Sequence, residues 1–386
     1  MLKPNKKKRK IAIIAGSRGE YGYFRPILRE IVKRPDLDYG IIATNMHMLD
    51  RFGSSIDEIK KDGFKIDASI HNTFDGYNRM TMTKSLSVFM LQLPEILEQV
   101  GADMILLAGD RGEQLMAAIV GAHLYIPVAH IQGGEVSGNI DGTMRHAITK
   151  MSHLHFASSD DAARRIKRMG EETFRTYNVG APQLDELMHE KTSSEIEVRK
   201  KFSLVKNRPI ILVVQHPVTE EFEHTEKSVE TTLKAVAKFN AQTVVILSNS
   251  DAGSQAVARA VSRNHTEHMQ VHANVPRKDY LGLMKIADVI VGNSSSGLIE
   301  APTYKLPAVN IGNRQRGRLQ GENVINVGYV ENDIVNAIKK AMSPQFKKRL
   351  KTIKNPYGDG RSSKRIVEVL ATIPINEKLL VKQISY

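Results

Sequence analysis

The stretch IAIIAGSRGEYGYFRPILREIV, Ile11–Val32, decides the fold. It starts with an apolar run typical of a buried strand, passes through a glycine-containing turn, and continues from Phe24 with helical spacing. The same strand-then-helix pattern recurs along the rest of the chain. Because parallel sheets covered by helices on both faces have this alternation, the sequence predicts an α/β protein.

The alternation runs twice, which predicts two Rossmann-like domains with parallel sheets. A polar connection, Leu187–Leu204, separates the two runs. We therefore place the first domain at 1–188 and the second at 189–364, with a C-terminal helix at 365–386 packing back on the first. The other strands that carry the prediction are Tyr39–Thr44, Met104–Gly109, Pro127–Ile131, Pro209–Pro217, Thr243–Asn249, Asp288–Gly297 and Pro307–Gly312.

Composition excludes several classes of protein. The chain has no cysteine, which excludes disulfides and thiolate metal sites. No apolar run approaches the roughly 20 residues of a membrane helix, and no secretory signal follows the basic start. The net charge is +13, but the chain has no tryptophan and does not interleave aromatic with basic residues, so nucleic acid is not an expected partner. We expect a soluble, cytoplasmic protein.

Polar and charged residues recur where the predicted strands end. In open parallel sheets, ligands bind beyond the carboxyl ends of the strands. The segments at these positions are GSRGEYG (Gly16–Gly22), GDRGE (Gly109–Glu113), QGGEVSGNID (Gln132–Asp141), QHP (Gln215–Pro217) and GNSSSGLIE (Gly292–Glu300). A ligand site is therefore predicted at these strand ends.

The serine-rich segment suits a diphosphate. Ser294, Ser295 and Ser296, followed by Gly297, stand between a predicted strand and a helix, where hydroxyls and free backbone N–H groups bind anions. Glu300 is placed to accept from ribose hydroxyls. The alternative is a plain helix cap by one serine, but three serines flanked by glycines favour phosphate binding.

The candidate catalytic residues are three acids and one histidine: Asp110, Glu135, Asp141 and His216. Neighbouring carboxylates with unequal pKa values supply an acid and a base, and histidine moves protons near neutral pH. The alternative for Asp110 is a salt bridge with the adjacent Arg111. We expect the acids at 135 and 141 on a glycine-rich loop. No H-E-x-x-H or similar spacing predicts a metal site.

Together these segments resemble the hydrolysing UDP-N-acetylglucosamine 2-epimerases. The resemblance runs from about Ile11 to about Asn326 and implies a GT-B-type fold with the active site in the cleft between the domains. It implies elimination of UDP through a 2-acetamidoglucal, then hydration to N-acetylmannosamine, a precursor for sialic acid biosynthesis. No cofactor is implied, and a homodimer or homotetramer is expected. The substrate-binding residues that it implies are Arg18, Gln132, Arg145, Asn249, Ser294, Ser295, Ser296, Gly297 and Glu300.

Two departures from the family pattern bear on the substrate. Gln132 stands where many members have histidine, and glutamine carries no proton at neutral pH. Gly19 and Glu20 replace the usual alanine and aspartate of the N-terminal segment. Because some relatives act on UDP-N,N'-diacetylbacillosamine, that nucleotide sugar is an alternative substrate. A non-hydrolysing 2-epimerase, a GT-B glycosyltransferase and a nucleotide-sugar sensor are the alternative functions.

Overall fold

The computed structural model describes residues 8–49, 55–74, 79–137, 140–189, 191–247 and 253–385. These residues form two compact units. The first takes the described residues up to Glu135, those of Asp141–Glu186, and those from Tyr357 onward; the second takes the described residues of Val136–Ile140 and Leu187–Pro356.

Each unit is built on one parallel sheet, which confirms the predicted fold class. The first sheet has the order β3-β2-β1-β4-β5-β6-β7 and the second β10-β9-β8-β11-β12-β13. The strands are β1 Arg9–Ala15, β2 Leu37–Thr44, β3 Ile66–Ile70, β4 Met104–Ala108, β5 Val128–Ile131, β6 Leu154–Ala157, β7 Thr176–Asn178, β8 Ile210–Val214, β9 Gln242–Ile246, β10 Met269–His272, β11 Val289–Gly292, β12 Ala308–Ile311 and β13 Val324–Val327.

Sixteen α-helices of four residues or more are defined within the described ranges. They are α1 Arg18–Ile31, α2 Ser55–Lys61, α3 Arg79–Val100, α4 Gly112–His123, α5 Ile140–Met151, α6 Asp160–Arg168, α7 Gln183–His189, α8 Glu195–Lys201, α9 Thr225–Ala237, α10 Ser254–Arg263, α11 Arg277–Ile286, α12 Ser296–Ile299, α13 Glu331–Met342, α14 Pro344–Leu350, α15 Ser362–Thr372 and α16 Glu377–Leu380. Short 3₁₀ helices lie at Asn45–Met48, Thr173–Arg175, Thr219–His224 and Ala301–Tyr304.

Strand β1 shows why the first sheet is covered on both faces. Successive side chains of a strand point to opposite faces. Ile11 and Ile13 pack with α1 and α15 on one face, whereas Ala12 and Ile14 pack with α3 and α4 on the other. All four side chains are fully buried. A central strand that is buried on both faces requires a continuous apolar run, and the sequence has such a run here.

Two of the predicted boundaries are wrong in a way that matters for the site. Helix α1 begins at Arg18 instead of near Phe24, because the Ser17 hydroxyl caps it by accepting from Glu20 N at 3.3 Å. Helix α5 begins at Ile140, so Asp141 lies in its first turn and not on a loop. Arg18 and Asp141 are therefore both held by helix backbones.

The C-terminal prediction of one helix over 365–386 is also wrong. The segment forms α15 and the short α16, separated around Pro374. A proline disfavours the helical conformation of the residue before it, and Ile373 accordingly has ψ 125°. The segment is tied to the first unit by two cations: Arg175 donates to Leu379 O at 2.6 Å, and Lys382 donates to Ser152 O at 2.6 Å.

Two further segments, the connection between the units and the segment between β9 and β11, contain more secondary structure than predicted. The polar connection 187–204 contains helix α8, which begins with a Ser194–Glu197 capping box and was not predicted. The segment between β9 and β11 contains α10, β10 and α11, none of which was predicted.

Candidate functional site

The carboxyl end of β1 carries a buried acid. Glu20, in the first turn of α1, accepts from Gly16 N at 2.8 Å through Oε2 and is only 4% exposed. Burial raises the pKa of Glu20 to about 8; the charge of Arg111 opposes this shift, and those of Glu113 and Asp110 add to it. This strand end therefore carries a carboxyl group that is mostly protonated at neutral pH.

The carboxyl end of β4 lies beside that of β1 and supplies Asp110. Its carboxylate accepts an ion-paired hydrogen bond from Arg145 Nη2, so its salt bridge reaches 35 residues along the chain to α5. Two residues after Arg111, Glu113 is buried and accepts from Asn45 Nδ2 at 2.6 Å. Two further buried acids, at positions 20 and 113, thus accompany Asp110 at adjacent strand ends.

Arg145 links the ends of β4 and β5. Besides binding Asp110 it donates to Gln132 O at 3.1 Å through Nη1, and it is itself 2% exposed. Asp141 lies one turn earlier on the same helix, and the buried Glu135 follows three residues after Gln132. The first unit thus carries Asp110 after β4, Glu135 after β5 and Asp141 on α5, and Arg145 is paired with Asp110.

The amide of Gln132 cannot transfer a proton, and other protein groups hold it in place. It has a positive φ of 63°, is 1% exposed, and donates from Nε2 to Gln183 Oε1 at 3.4 Å. The glycine two residues later serves packing: a Cβ on Gly134 would lie 2.3 Å from Ala162 O of α6. The space beside Gly134 is filled by protein, so this glycine is required by its packing against α6.

Three histidines on β5 and β6 or next to them, at positions 130, 153 and 155, serve the fold. His130 is fully buried and donates from Nε2 to Gly109 O at 2.8 Å. Burial lowers the pKa of His130 to about 3, so its ring is neutral. His153 accepts from Val128 N at 3.0 Å, and His155 contacts Glu171 at 3.0 Å.

In the second unit, Asn293 joins the ends of β8 and β11. Its side chain accepts from His216 N at 2.7 Å and donates to His216 O at 2.8 Å. The preceding Gly292 has φ 133°, and a Cβ there would lie 2.2 Å from Val214 O, so only glycine allows this approach of the two strands. The backbone of the predicted catalytic histidine is thereby fixed beside Ser294–Ser296, the serine turn.

The serine turn is not a simple helix cap. Ser295 occupies the cap position of α12 but makes no capping hydrogen bond with its side chain. Ser294 Oγ accepts from Ser296 N at 3.3 Å. Gly297 packs closely, since a Cβ there would lie 3.3 Å from Ala308 Cβ. The Ser294 hydroxyl, and not that of Ser295, thus bonds the backbone at the start of α12, and anion binding by this turn stays a prediction.

Glu300 closes the one-turn helix α12 and is 5% exposed. Its Oε1 accepts an ion-paired hydrogen bond from Arg277 Nη2. Asn249, the remaining predicted binding residue, lies outside the described residues. The structure thus brings together His216, the three serines and Glu300 within the second unit.

Two residues that were not predicted from the sequence contact Asn293, next to the serine turn. Gln315 is buried and donates to Asn293 O at 2.9 Å, and Arg314 donates to the same oxygen at 3.3 Å. Both belong to the basic segment GNRQRGR, Gly312–Arg318, which directly follows β12. The strand-end rule applied to the other segments predicts this one as well.

Two further observations concern metals and membranes. Within the ranges given above, no group of three His, Asp or Glu side chains is arranged to hold a metal ion. Among the helices that the structure describes, none is both long and apolar enough to cross a membrane.

Comparison with known proteins identifies relatives along nearly the whole chain. The family profile described as UDP-N-acetylglucosamine 2-epimerase matches residues 29–371. The hydrolysing UDP-N,N'-diacetylbacillosamine 2-epimerase of Legionella pneumophila is 36% identical over 98% of this chain and 100% of that protein. A UDP-N-acetylglucosamine 2-epimerase of Neisseria meningitidis is 31% identical over 87% of this chain and 88% of that protein.

A solved structure shares the fold. The UDP-GlcNAc 2-epimerase of Neisseria meningitidis bound to UDP-GlcNAc superposes with a TM-score of 0.79 at 20% identity, covering 94% of this chain and 99% of that one. The likeness confirms the predicted GT-B-type class of two α/β units.

Proposed function

Because this chain belongs to the UDP-N-acetylglucosamine 2-epimerase family, we propose that it is a hydrolysing 2-epimerase. It converts UDP-N-acetylglucosamine and water into N-acetylmannosamine and UDP. The observation that carries the proposal is the link that Arg145 makes between Asp110 and the segment leading to Glu135, which gathers acids at two adjacent strand ends.

The second unit is assigned the nucleotide. Ser294, Ser295, Ser296 and Gly297 bind the diphosphate through hydroxyls and backbone N–H groups, and Arg314 adds a cation at the same turn. Stabilising the diphosphate matters because UDP leaves with the electrons of the C1–O bond. Glu300 accepts from the ribose. Arg18 and Asn249 stay proposed contacts of the nucleotide sugar.

The first unit is assigned the proton transfers on the sugar. One of Asp110, Glu135 and Asp141 removes the proton from C2 while the C1–O bond breaks, which gives 2-acetamidoglucal and UDP. Water then adds its hydroxyl to C1, and a proton returns to C2 on the opposite face. Arg145 orients Asp110 by its direct ion pair, so that the carboxylate is held in one direction.

Proton transfer by a histidine is assigned to one residue, His216. Gln132 replaces the histidine of many relatives, and its amide bonds Gln183. His216, whose backbone Asn293 holds on both sides, is the proposed proton carrier near the leaving diphosphate.

UDP-N,N'-diacetylbacillosamine is the second candidate substrate. It is favoured by the Legionella pneumophila relative, whose identity of 36% extends over its whole length. The two sugars undergo the same change at C1 and C2 and differ away from the reacting carbons. The choice between them is therefore a matter of sugar contacts and leaves the assigned chemistry unchanged.

Incubation with each nucleotide sugar, with no acceptor present, tests the proposal. We expect at least one of the two nucleotide sugars to give UDP and a free 2-epimerised sugar. NMR detects both products. Formation of UDP-N-acetylmannosamine would identify a non-hydrolysing epimerase instead. Turnover that requires an added sugar acceptor would identify a glycosyltransferase, and binding without turnover would identify a sensor.

Assembly and location are proposed on the family resemblance alone. We infer a homodimer or homotetramer in the cytoplasm, in which the UDP-sugar is the only ligand required for turnover. Sedimentation equilibrium of the purified protein determines the assembly.

A further inference from the structure

We propose that Arg277 is a positioning residue that makes the site selective for a ribonucleotide, by turning the Glu300 carboxylate toward the ribose hydroxyls. The inference rests on the proposed function, since it assumes that the second unit binds UDP. Arg277 lies outside the strand-end segments, and it acts on the ribose through Glu300.

Local structure places the two charged groups together. Arg277 is the first residue of α11. It directly follows Pro276, the N-cap residue, which has a φ of −53°. Glu300 closes α12, and its own backbone N–H donates to Ser296 O at 3.0 Å. The backbone of Glu300 is therefore fixed to the serine turn, and only its side-chain torsions remain to be set.

Arg277 sets those torsions. Its Nη2 donates to Glu300 Oε1, which leaves Oε2 to accept from a ligand hydroxyl. Both side chains are largely shielded: that of Arg277 is 21% exposed and that of Glu300 is 7% exposed. A charge-assisted hydrogen bond at such a shielded place is stronger and more directional than one in water.

The surroundings of Glu300 make a compensating cation necessary. Tyr280, one turn after Arg277 on α11, has its pKa raised by burial and then by the negative charge of Glu300. The phenol therefore stays neutral and adds no second negative charge, and Arg277 is the cation paired with Glu300. Without Arg277, the shielded carboxylate loses its charge-assisted hydrogen bond and can turn toward water, which weakens it as an acceptor for ribose.

The expected consequence is a loss of affinity confined to the nucleoside. Replacing Arg277 with methionine, which keeps an unbranched apolar stem and removes the guanidinium, should weaken UDP binding about tenfold or more, since hydrogen bonds to charged groups contribute about 1.5–3 kcal/mol. Inorganic pyrophosphate, which carries no ribose, should bind within about twofold of the unsubstituted protein. KM should rise while kcat stays within about twofold, because the lost contact lies far from C1 and C2 of the sugar.

Calorimetric titration with three ligands tests this: UDP, UDP lacking both ribose hydroxyls, and pyrophosphate. The unsubstituted protein should prefer UDP over the dideoxy nucleotide, Arg277→Met should lose most of that preference, and Arg277→Lys should regain part of it. Arg259→Met, in an exposed ion pair with Glu226 on the same unit, is the matched control and should bind all three ligands normally.

Each contrary result has a separate meaning. Equal losses for UDP and pyrophosphate in Arg277→Met would reduce Arg277 to a residue of the fold and overturn the inference. An unchanged preference for UDP over the dideoxy nucleotide would also overturn it, and the proposed function would stand. If the unsubstituted protein binds no UDP, both the inference and the proposed function fail.

Discussion

Replacing Asp110 with asparagine should slow the release of UDP from the nucleotide sugar by about a hundredfold or more, because a positioned acid or base contributes about 10²–10⁴ to a rate. Asparagine keeps the shape of the side chain, and its carbonyl still accepts from Arg145. The substituted protein should therefore fold and bind UDP normally. The measurement is kcat for UDP release, with the thermal unfolding midpoint recorded beside it.

Asp160→Asn is the matched control, since Asp160 is an exposed carboxylate in the same unit that accepts from Asn178. It should leave kcat unchanged. Full turnover by Asp110→Asn would remove Asp110 from the acid–base chemistry and leave only Glu135 and Asp141. A loss of turnover together with a large fall in the unfolding midpoint would assign Asp110 to the fold.

Replacing Glu20 with glutamine should stabilise the protein near pH 8 and leave its stability near pH 4 almost unchanged. Burial raises the pKa of Glu20 from 4.5 to about 8, so the folded state holds the proton more tightly than the unfolded state does. The stabilisation from this proton is fully present below about pH 4.5 and is lost as the pH rises through 8. Glutamine avoids that loss, which amounts to as much as roughly 5 kcal/mol at about 1.4 kcal/mol for each pKa unit.

The measurement is the free energy of unfolding in urea across pH 4.5 to 8.5, for the unsubstituted protein and for Glu20→Gln. The two curves should diverge as the pH rises, with the glutamine variant above. Glu98→Gln, at an exposed position of α3, is the control and should run parallel to the unsubstituted protein. Parallel curves for Glu20→Gln would mean that Glu20 is already ionised in the folded state at neutral pH.

The strand ends were predictable because they follow from local patterns. An apolar run followed by Gly-Asp or Gly-Asn-Ser marks the end of a buried parallel strand, so Asp110 and Ser294 were found from sequence alone. Arg145 was named as a binding residue on the family resemblance, but its ion pair with Asp110 was not predictable. That contact depends on the order of β4 and β5 in the sheet and on the orientation of α5.

Helix starts were predicted less well, for a physical reason. Glycines at 19, 22 and 142 lower the helix propensity of their segments. For that reason Arg18 and Asp141 were predicted to lie on loops. The Ser17 cap and tertiary packing outweigh that cost, which is roughly 1 kcal/mol for each glycine. Arg277 was missed because it acts on a residue more than 20 positions away through a contact that no local spacing reveals. Gln315 lies in a strand-end segment that the same rule covers, and only its contact with Asn293 was not predictable.

Turnover in deuterated water is the most direct test of the central claim, which is that UDP leaves by elimination and the sugar is reprotonated at C2. We predict that the released sugar is N-acetylmannosamine, or its diacetylated counterpart, with one deuterium at C2 and UDP in equal amount. A released sugar that keeps hydrogen at C2 and its original configuration would contradict the account, because simple hydrolysis at C1 would then explain the products.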